Sequence, residues 1–275
     1  MSHTPFPIRI GSLSGQIFTD GVGVSAPDVS AARYPDHVEA MRAEIGAAPV
    51  HGSRNVLLLD SGSERILIDT GEGKFNASAP GLLLPALREH GVAPESITTV
   101  ILTHFHMDHI GGLLSEDGAP TFPNARLIAA QAEHDHWLNE ATLAALPPDR
   151  AAFVRAVFAA YPPVELVSGE AQVLPGITLL PAYGHSPGQC AVLIESQGER
   201  LLHIADACHI PAQLNLPEAR IKFDAAPEQA IASRRALMER AERENLLTLG
   251  YHFEFPGIGY IRREGDRRVW VTNKS

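Results

Sequence analysis

The sequence predicts an α+β fold in which helices cover two mixed β-sheets. Two hairpins of short apolar strands, at 54–70 and 191–205, lie in the two halves of the chain. Strand-like and helical segments alternate between and after them. Adjacent hairpins mixed with helices favour mixed sheets over a doubly wound parallel sheet. No low-complexity linker divides the 275 residues, so we expect one domain, 1–275.

The elements follow in order from the spacing of apolar residues. After the first hairpin the pattern predicts a helix near 81–90, strands at 99–103 and 125–129, and helices near 131–138 and 149–160. The second half predicts strands near 177–181, 189–195 and 200–204, a helix near 227–243 with separate apolar and charged faces, and strands at 246–249 and 260–261.

The second hairpin repeats five residues of the first at the same spacing. The repeated residues are Leu58, Ser61, Glu64, Arg65 and Leu67, which correspond to Leu193, Ser196, Glu199, Arg200 and Leu202. An internal duplication explains this repeat, and so does an accidental similarity between two hairpins.

Composition excludes several classes of protein. With 45% hydrophobic and 20% charged residues the chain is globular rather than disordered. The 32 acidic residues outnumber 22 basic ones, and the net charge of −10 argues against a nucleic-acid partner, because such binding depends on Lys and Arg. No apolar run reaches the roughly 20 residues that span a bilayer. The N-terminus has no signal-peptide pattern, so we expect no membrane partner and a cytoplasmic protein.

One short segment concentrates metal-binding residue types. The predicted strand 99–103 leads directly into His104-Phe-His-Met-Asp-His109-Ile-Gly-Gly. Imidazole and carboxylate are ligands that zinc and similar divalent metals prefer. Alternate residues of an extended segment point the same way, so His104 and His106 can bind one ion while the following turn directs Asp108 and His109 to a second. The spacing therefore predicts two metal ions.

This segment resembles the H-x-H-x-D-H signature of the metallo-β-lactamase superfamily. Further motifs of that family have matches in the expected order, namely Asp69-Thr-Gly71, Gly184-His185, Ile204-Ala-Asp206 and Gly250-Tyr-His252. The resemblance implies an αβ/βα four-layer sandwich of two mixed sheets flanked by helices. Its core would span 54–265, and 1–53 would be an N-terminal extension that shapes the pocket or a dimer.

The resemblance also implies a ligand set. His104, His106 and His185 would hold the first metal, Asp108, His109 and His252 the second, and Asp206 would bridge them. Asp108 would also be catalytic, orienting a metal-bridging hydroxide and carrying its proton to the leaving group. Asp69 would support the ligands from behind. We expect zinc, although iron, manganese and cobalt suit the same donors.

Other histidines receive different interpretations. His134 and His136 are two apart on a predicted helix and diverge, so we interpret them as helix surface. His203 lies inside a predicted strand and is interpreted as a buried structural imidazole. His209 follows Asp206 by three residues, where a role in the pocket and a purely structural role are both open. Cys190 and Cys208 are too few for a disulfide framework and are interpreted as buried apolar residues.

Within the superfamily, the C-terminal segment resembles the methyl parathion hydrolase-like group, which is related to quorum-quenching lactonases. It contains Phe255-Pro-Gly-Ile-Gly259 after His252, and Asp206-Ala-Cys-His209 matches the same group, whereas Glu254 departs from its pattern. The implied function is hydrolysis of small uncharged esters, most readily lactones or aryl esters, with phosphotriesters as a side activity.

Two alternatives remain at this point, a glyoxalase II-like thioesterase and a non-catalytic metal-binding scaffold. The chain has no basic C-terminal extension of the glyoxalase II type, and the complete ligand set disfavours a scaffold. We expect Phe105, Phe253 and His209 to line the substrate pocket, and a homodimer is possible.

Overall fold

Strand pairing builds two sheets of seven strands each. The computed structural model describes residues 4–74, 80–161 and 163–272. The strands of the first sheet lie in sequence order: β1 (Phe6–Ile10), β2 (Leu13–Ser25), β3 (Val50–Asp60), β4 (Arg65–Ile68), β5 (Thr99–Ile101), β6 (Arg126–Ala130) and β7 (Glu165–Val167). Pairing is antiparallel from β1 to β4 and parallel from β4 to β7. The sheet is therefore mixed, as predicted.

The second sheet has the same mixed character. Its strands also lie in sequence order: β8 (Ala171–Leu174), β9 (Ile177–Pro181), β10 (Cys190–Ser196), β11 (Glu199–His203), β12 (Leu247–Leu249), β13 (Ile258–Glu264) and β14 (Arg267–Thr272). Only the β11–β12 pair is parallel among the pairings in the described residues. Each predicted hairpin, β3–β4 and β10–β11, is thus followed by a parallel neighbour, which agrees with a duplicated unit.

Helices cover the outer faces. The α-helices are α1 (Pro27–Ala31), α2 (Val38–Ile45), α3 (Leu83–Glu89), α4 (Met107–Ile110), α5 (Gln131–Trp137), α6 (Glu140–Ala145), α7 (Pro148–Ala160) and α8 (Pro227–Arg243). Short 3₁₀ turns lie at Pro94–Ser96, Gly111–Leu113, Ala205–Ala207 and Pro211–Leu214. Within the described ranges no helix is both long enough and apolar enough to span a membrane.

Alternation along the strands divides the core into layers. On β3, Leu57 and Leu59 belong to a cluster shared with Val192 and Ile194 of β10, so the two sheets pack face to face. Val56 and Leu58 of the same strand point outward into a cluster that includes residues of α3 and α7. A third cluster lies between the second sheet and α8. The predicted order of helix, sheet, sheet, helix is confirmed.

The parallel pairs place several loops at one edge of the sandwich. Residue Asp69 follows β4, the segment 102–106 follows β5, and α5 follows β6 directly. In the second sheet, Asp206 follows β11 and His252 follows β12. Because the carboxyl ends of parallel strands lie at a common edge, these loops converge there. The segment before residue 50, in which no elements were predicted, contributes β1, β2, α1 and α2.

Candidate metal centre

The first cluster of metal-binding side chains joins loops from both sheets. His104 and His106 follow β5, His185 follows β9, and Asp206 follows β11. His106 Nδ1 lies 3.0 Å from His104 Nε2 and 3.0 Å from His185 Nε2. Asp206 Oδ2 lies 3.3 Å from His185 Nε2 and 3.9 Å from His104 Nε2. Three ring nitrogens and one carboxylate thus converge on a single region.

The second cluster contains Asp108, His109 and His252, and it adjoins the first at Asp206. His252 Nε2 lies 3.4 Å from Asp108 Oδ2 and 3.1 Å from Asp206 Oδ2. His109 Nε2 lies 3.3 Å from the other oxygen of Asp206, Oδ1. The Asp206 carboxylate therefore lies between two groups of donors, as expected for a bridging ligand.

Hydrogen bonds on the far sides of the rings direct the nitrogens inward. The Nδ1 of His109 donates to Asp69 Oδ2 at 2.8 Å, and the Nδ1 of His252 donates to the Ser53 carbonyl at 3.3 Å. Because Nδ1 is engaged outward, Nε2 of both rings faces the clusters in the form that can bind a metal. Asp69 also accepts bonds from the backbone N–H and the hydroxyl of Thr103, at 2.8 and 2.7 Å. Its position agrees with the supporting role that the sequence predicted.

The donor set fits divalent cations. Within the described residues, the buried atoms His109 Nε2 and Asp206 Oδ1 have no hydrogen-bond partner. Burial lowers the pKa of His104, and burial together with the charge of His185 lowers the pKa of His106 to about 3. These two rings are therefore neutral near pH 7, which is the form that coordinates metals. Against the effect of burial, the carboxylate of Asp206 raises the pKa of His109 and, together with Asp224, raises the pKa of His185 to about 9, so a metal ion would bind these two rings in place of a proton. Oxygen and imidazole nitrogen ligands of this kind suit zinc and its first-row neighbours.

Two further buried carboxylates support the first cluster, and sequence reasoning missed both. Asp224 accepts a hydrogen bond from His185 Nδ1 at 3.0 Å. Glu133 on α5 accepts bonds from backbone N–H groups of Phe105 and Gly188, in the two loops that carry His104, His106 and His185. The sequence offers one indication for Glu133. It lies four residues before Trp137, on the same face of α5, and Trp137 lines the cavity. Nothing local marks Asp224.

The clusters lie on the wall of a cavity of about 670 Å³. Apolar side chains from three regions line it, namely Val22, Val24, Tyr34, Met107, Trp137, Ile210, Ile221 and Phe223. Val22, Val24 and Phe223 are 53%, 63% and 54% exposed, so large apolar surface faces solvent at this cavity. Val22, Val24 and Tyr34 of this wall lie in the segment 1–53.

Charged side chains also line the cavity. Arg54 pairs with the buried Asp20 at 2.9 Å and lies 3.6 Å from Glu72. Its charge is therefore compensated within the wall.

The prediction that Phe105 and Phe253 line the pocket is wrong. Phe105 is fully buried against Phe158, with ring centroids 4.7 Å apart, and Phe253 is buried against Trp270. Neither lines the cavity. For Phe105 the reason is alternation along the strand direction. Its side chain lies between His104 and His106 in an extended segment and therefore points away from the metal-binding face.

The remaining histidines divide as follows. His209 does line the cavity, its Nε2 lies 3.3 Å from Asp206 Oδ2, and with Asp206 and His252 it forms a third group of potential metal ligands. His134 and His136, both on α5, belong to none of the clusters. His134 packs against Phe158 of α7, and His136 packs against Trp137 of α5. His203 is fully buried and its Nδ1 accepts a bond from the backbone of Ala205, which agrees with a structural role.

The sandwich and its paired clusters define a class of protein, the metal-dependent hydrolases with two adjoining sites at a sheet edge. Comparison with known families agrees, since the profile of the Metallo-beta-lactamase superfamily matches residues 50–252. The chain belongs to this superfamily and is a hydrolase.

Known proteins similar to the chain include a lactonase. N-acyl homoserine lactonase of Bacillus thuringiensis is 28% identical over 219 residues, which cover 72% of this chain and 80% of that protein. Among solved structures, AidC, a dizinc quorum-quenching lactonase in complex with a product, has a TM-score of 0.85 at 24% identity over 98% of both chains. The hydrolase AbOPH has a TM-score of 0.82 at 23% identity, over 100% of this chain and 99% of its own. At these identities the two structures show a common fold.

Proposed function

We propose that the chain is a binuclear metal-dependent lactonase that acts on uncharged lactones, with N-acyl homoserine lactones as the leading substrate class. One observation carries the proposal: two clusters of imidazole and carboxylate groups adjoin at Asp206, on the wall of a large cavity with apolar sides. The similarity to the Bacillus thuringiensis lactonase supports the choice of a lactone.

In this proposal each cluster holds one divalent ion, with zinc as the preferred metal. His104, His106 and His185 would hold the first ion, Asp108, His109 and His252 would hold the second, and Asp206 would serve both clusters. Two bound ions supply a water of lowered pKa and polarise the ester carbonyl. The remaining work belongs to side chains of the protein.

Asp108 is the proposed proton carrier. Its side chain is 29% exposed, against 3% for Asp206, so Asp108 is the carboxylate that a substrate in the cavity can reach. It would accept the proton of the attacking water and deliver it to the ring oxygen as the lactone opens. His209, beside Asp206 on the cavity wall, would contact the lactone ring.

The apolar wall supports an uncharged substrate with an apolar chain. Val22, Val24 and Phe223 expose more than half of their surfaces at the cavity, and an acyl chain would remove that surface from water. The cavity wall includes Arg33, Arg54 and Arg150, and Arg54 is paired with Asp20 and Glu72, so Arg54 itself does not call for a negatively charged substrate.

A substrate screen with metal analysis of the same sample tests the proposal. The purified protein should contain about two divalent ions per chain and should hydrolyse N-hexanoyl homoserine lactone faster than an aryl ester, a thioester or a phosphotriester. The preference follows from the contact between the acyl chain of the lactone and the apolar wall. Each methylene of that chain contributes only about 1 to 3 kcal/mol to the discrimination between substrates.

Two outcomes would contradict it. Metal content at or below one ion per chain, with no activity gained on adding zinc, would exclude a binuclear enzyme. Metal-replete protein that hydrolyses the thioester or phosphotriester but no lactone would exclude the proposed substrate.

A further inference from the structure

We propose that Arg234 is a positioning residue of the metal centre, which sets the orientation of His185 through Asp224 and holds the loop that carries Asp206 and His209. This inference rests on the proposed function only in that His185 and Asp206 are metal ligands. Arg234 lies on α8 and is fully buried, with 0% of its surface exposed.

Within the part of the chain that the structure describes, the hydrogen bonds of the Arg234 guanidinium go to one segment, residues 207–224. Nε donates to the Ala207 carbonyl at 2.6 Å, and Nη1 donates to the carbonyls of Pro217 and Ala219 at 2.6 and 3.3 Å. Nη2 donates to Asp224 Oδ2 at 3.3 Å. Ala207 follows the bridging aspartate directly, so the guanidinium fixes both ends of the segment 207–224.

Asp224 links Arg234 to the ring of His185. Its Oδ1 accepts a hydrogen bond from His185 Nδ1 at 3.0 Å, and its Oδ2 accepts one from the backbone N–H of Ile221 at 3.1 Å. A carboxylate on Nδ1 selects the tautomer whose Nε2 is free to bind a metal. The His185 Nε2 accordingly lies 3.0 Å from His106 Nδ1, inside the first cluster.

The same segment carries one side of the cavity. The backbone N–H of His209 donates to Gln213 Oε1 at 2.7 Å, and Gln213 Nε2 donates to the Ala219 carbonyl, which Arg234 also contacts. Ile221 in this segment lines the cavity. Arg234 therefore lies behind both the first cluster and the substrate wall.

Charge balance requires a cation at this position, and the placement of its hydrogen-bond acceptors favours arginine over lysine. The side chains of Arg234 and Asp224 are both 0% exposed, and a buried charge persists only when it is paired and hydrogen-bonded. The fork of donors reaches four acceptors that lie in different directions, whereas a lysine ammonium offers three donors at one point. A lysine would keep the charge and lose most of these bonds.

Three variants test the inference, namely Arg234→Lys, Asp224→Asn and the control Arg235→Lys. The control residue is the next one on α8 and is exposed, with an ion pair to Glu218 at 3.6 Å on the surface. Each protein is loaded with zinc, dialysed against graded concentrations of a chelator and analysed for zinc per chain. The thermal melting of each metal-free protein is recorded by circular dichroism.

The first two variants should lose one of the two ions at chelator concentrations about 10 to 100 times lower than the wild type, because loss of an outer hydrogen bond typically weakens metal binding by that factor. Arg235→Lys should match the wild type. Asp224→Asn keeps the size of the side chain, so it still tests the link between Arg234 and His185 if Arg234→Lys does not fold.

Retention of both ions by Asp224→Asn and Arg234→Lys at wild-type chelator concentrations would overturn the proposal. The proposal would also be overturned if a variant lost zinc only in proportion to a lower melting temperature of its metal-free form. A residue that merely stabilises the fold would behave in that way. The measurement needs no substrate. A wild type that holds two ions but opens no lactone would contradict the proposed function alone.

Discussion

His109 and His134 have the same side chain and opposite surroundings. His109 is fully buried, with Nδ1 bonded to Asp69 and Nε2 facing Asp206, whereas His134 is half-buried on α5 and packs against Phe158. A cluster needs every donor to complete the coordination of its ion, whereas His134 belongs to none of the clusters and its removal leaves their donors in place. The two histidines therefore differ in their expected contribution to hydrolysis.

We predict that Asp206→Ala and His109→Ala each lower lactone hydrolysis by more than about 100-fold, because removal of a ligand costs more than the 10 to 100-fold typical of an outer hydrogen bond. His134→Ala and His136→Ala are the controls on α5 and should retain nearly full activity. Initial rates at saturating zinc, with metal content measured for each variant, provide the comparison. An inactive His134→Ala beside an active His109→Ala would show that the site is misassigned.

The proposed ligands after β5 could be predicted from the sequence because they lie in one short segment, whereas His185, Asp206 and His252 could be predicted only through the resemblance to the family. His104, His106, Asp108 and His109 fall within six residues. Asp224 could not be predicted, since its contact with His185 joins positions 39 residues apart through the path of a loop. Phe105 was assigned to the pocket by proximity in sequence, although alternation along the extended segment already argued against it.

At the scale of elements, α5 connects the two loops that form the first cluster. Glu133 accepts hydrogen bonds from Phe105 at 2.9 Å and from Gly188 at 2.7 Å, and also from the Ser186 hydroxyl. Burial raises the pKa of Glu133, and the hydrogen bonds from Ser186, Phe105 and Gly188 act in the opposite direction. One short helix thereby sets the distance between the two loops.

Glu133→Gln should weaken this connection, because an amide has one oxygen where the carboxylate offers two. One donor is then left unsatisfied in the interior, at a cost of about 1 to 3 kcal/mol in the free energy of unfolding. Zinc affinity at the first cluster should fall by about tenfold. Denaturant unfolding and chelator competition measure the two effects.

Asp135→Asn is the matched control for this prediction, since Asp135 is exposed on the same helix. It should change neither quantity appreciably. If Glu133→Gln keeps wild-type stability and zinc affinity, then α5 does not hold the two loops in place.

Element types were predicted more reliably than their contacts. The hairpins β3–β4 and β10–β11 follow from strong apolar runs, and α8 follows from its separate apolar and charged faces. β2 spans 13 residues with an irregular register between Thr19 and Val22, and no regular apolar period identifies it in the sequence. The part of β2 beyond this irregularity lines the cavity.

At the scale of the whole molecule, both clusters join the two sheets. Residues 104–109 come from the edge of the first sheet, while His185, Asp206 and His252 come from the edge of the second. The cavity is likewise lined by Val22 and Val24 of β2 and by Phe223 of the loop before α8. The architecture could be predicted from hairpins and alternation, but the meeting of these distant segments depends on how the sheets pack.

Bound metal should therefore stabilise the folded chain as a whole, because the unfolded chain does not present the two clusters. A ligand that binds only the folded state stabilises it by about 2.7 kcal/mol at a free concentration of 100 times its Kd, so two occupied sites contribute about 5 kcal/mol. At about 2 to 4 °C per kcal/mol for domains of roughly this size, removal of zinc by a chelator should lower the melting temperature by about 10 to 20 °C.

Differential scanning calorimetry of the wild type with zinc, with chelator and after zinc is restored measures this shift. The control is Asp206→Ala, which lacks the carboxylate common to both clusters and should show little dependence of its melting temperature on zinc. Equal melting temperatures of the zinc-loaded and zinc-free wild type would mean that metal binding does not link the two sheets. A full zinc-dependent shift in Asp206→Ala would place the stabilising ion elsewhere in the molecule.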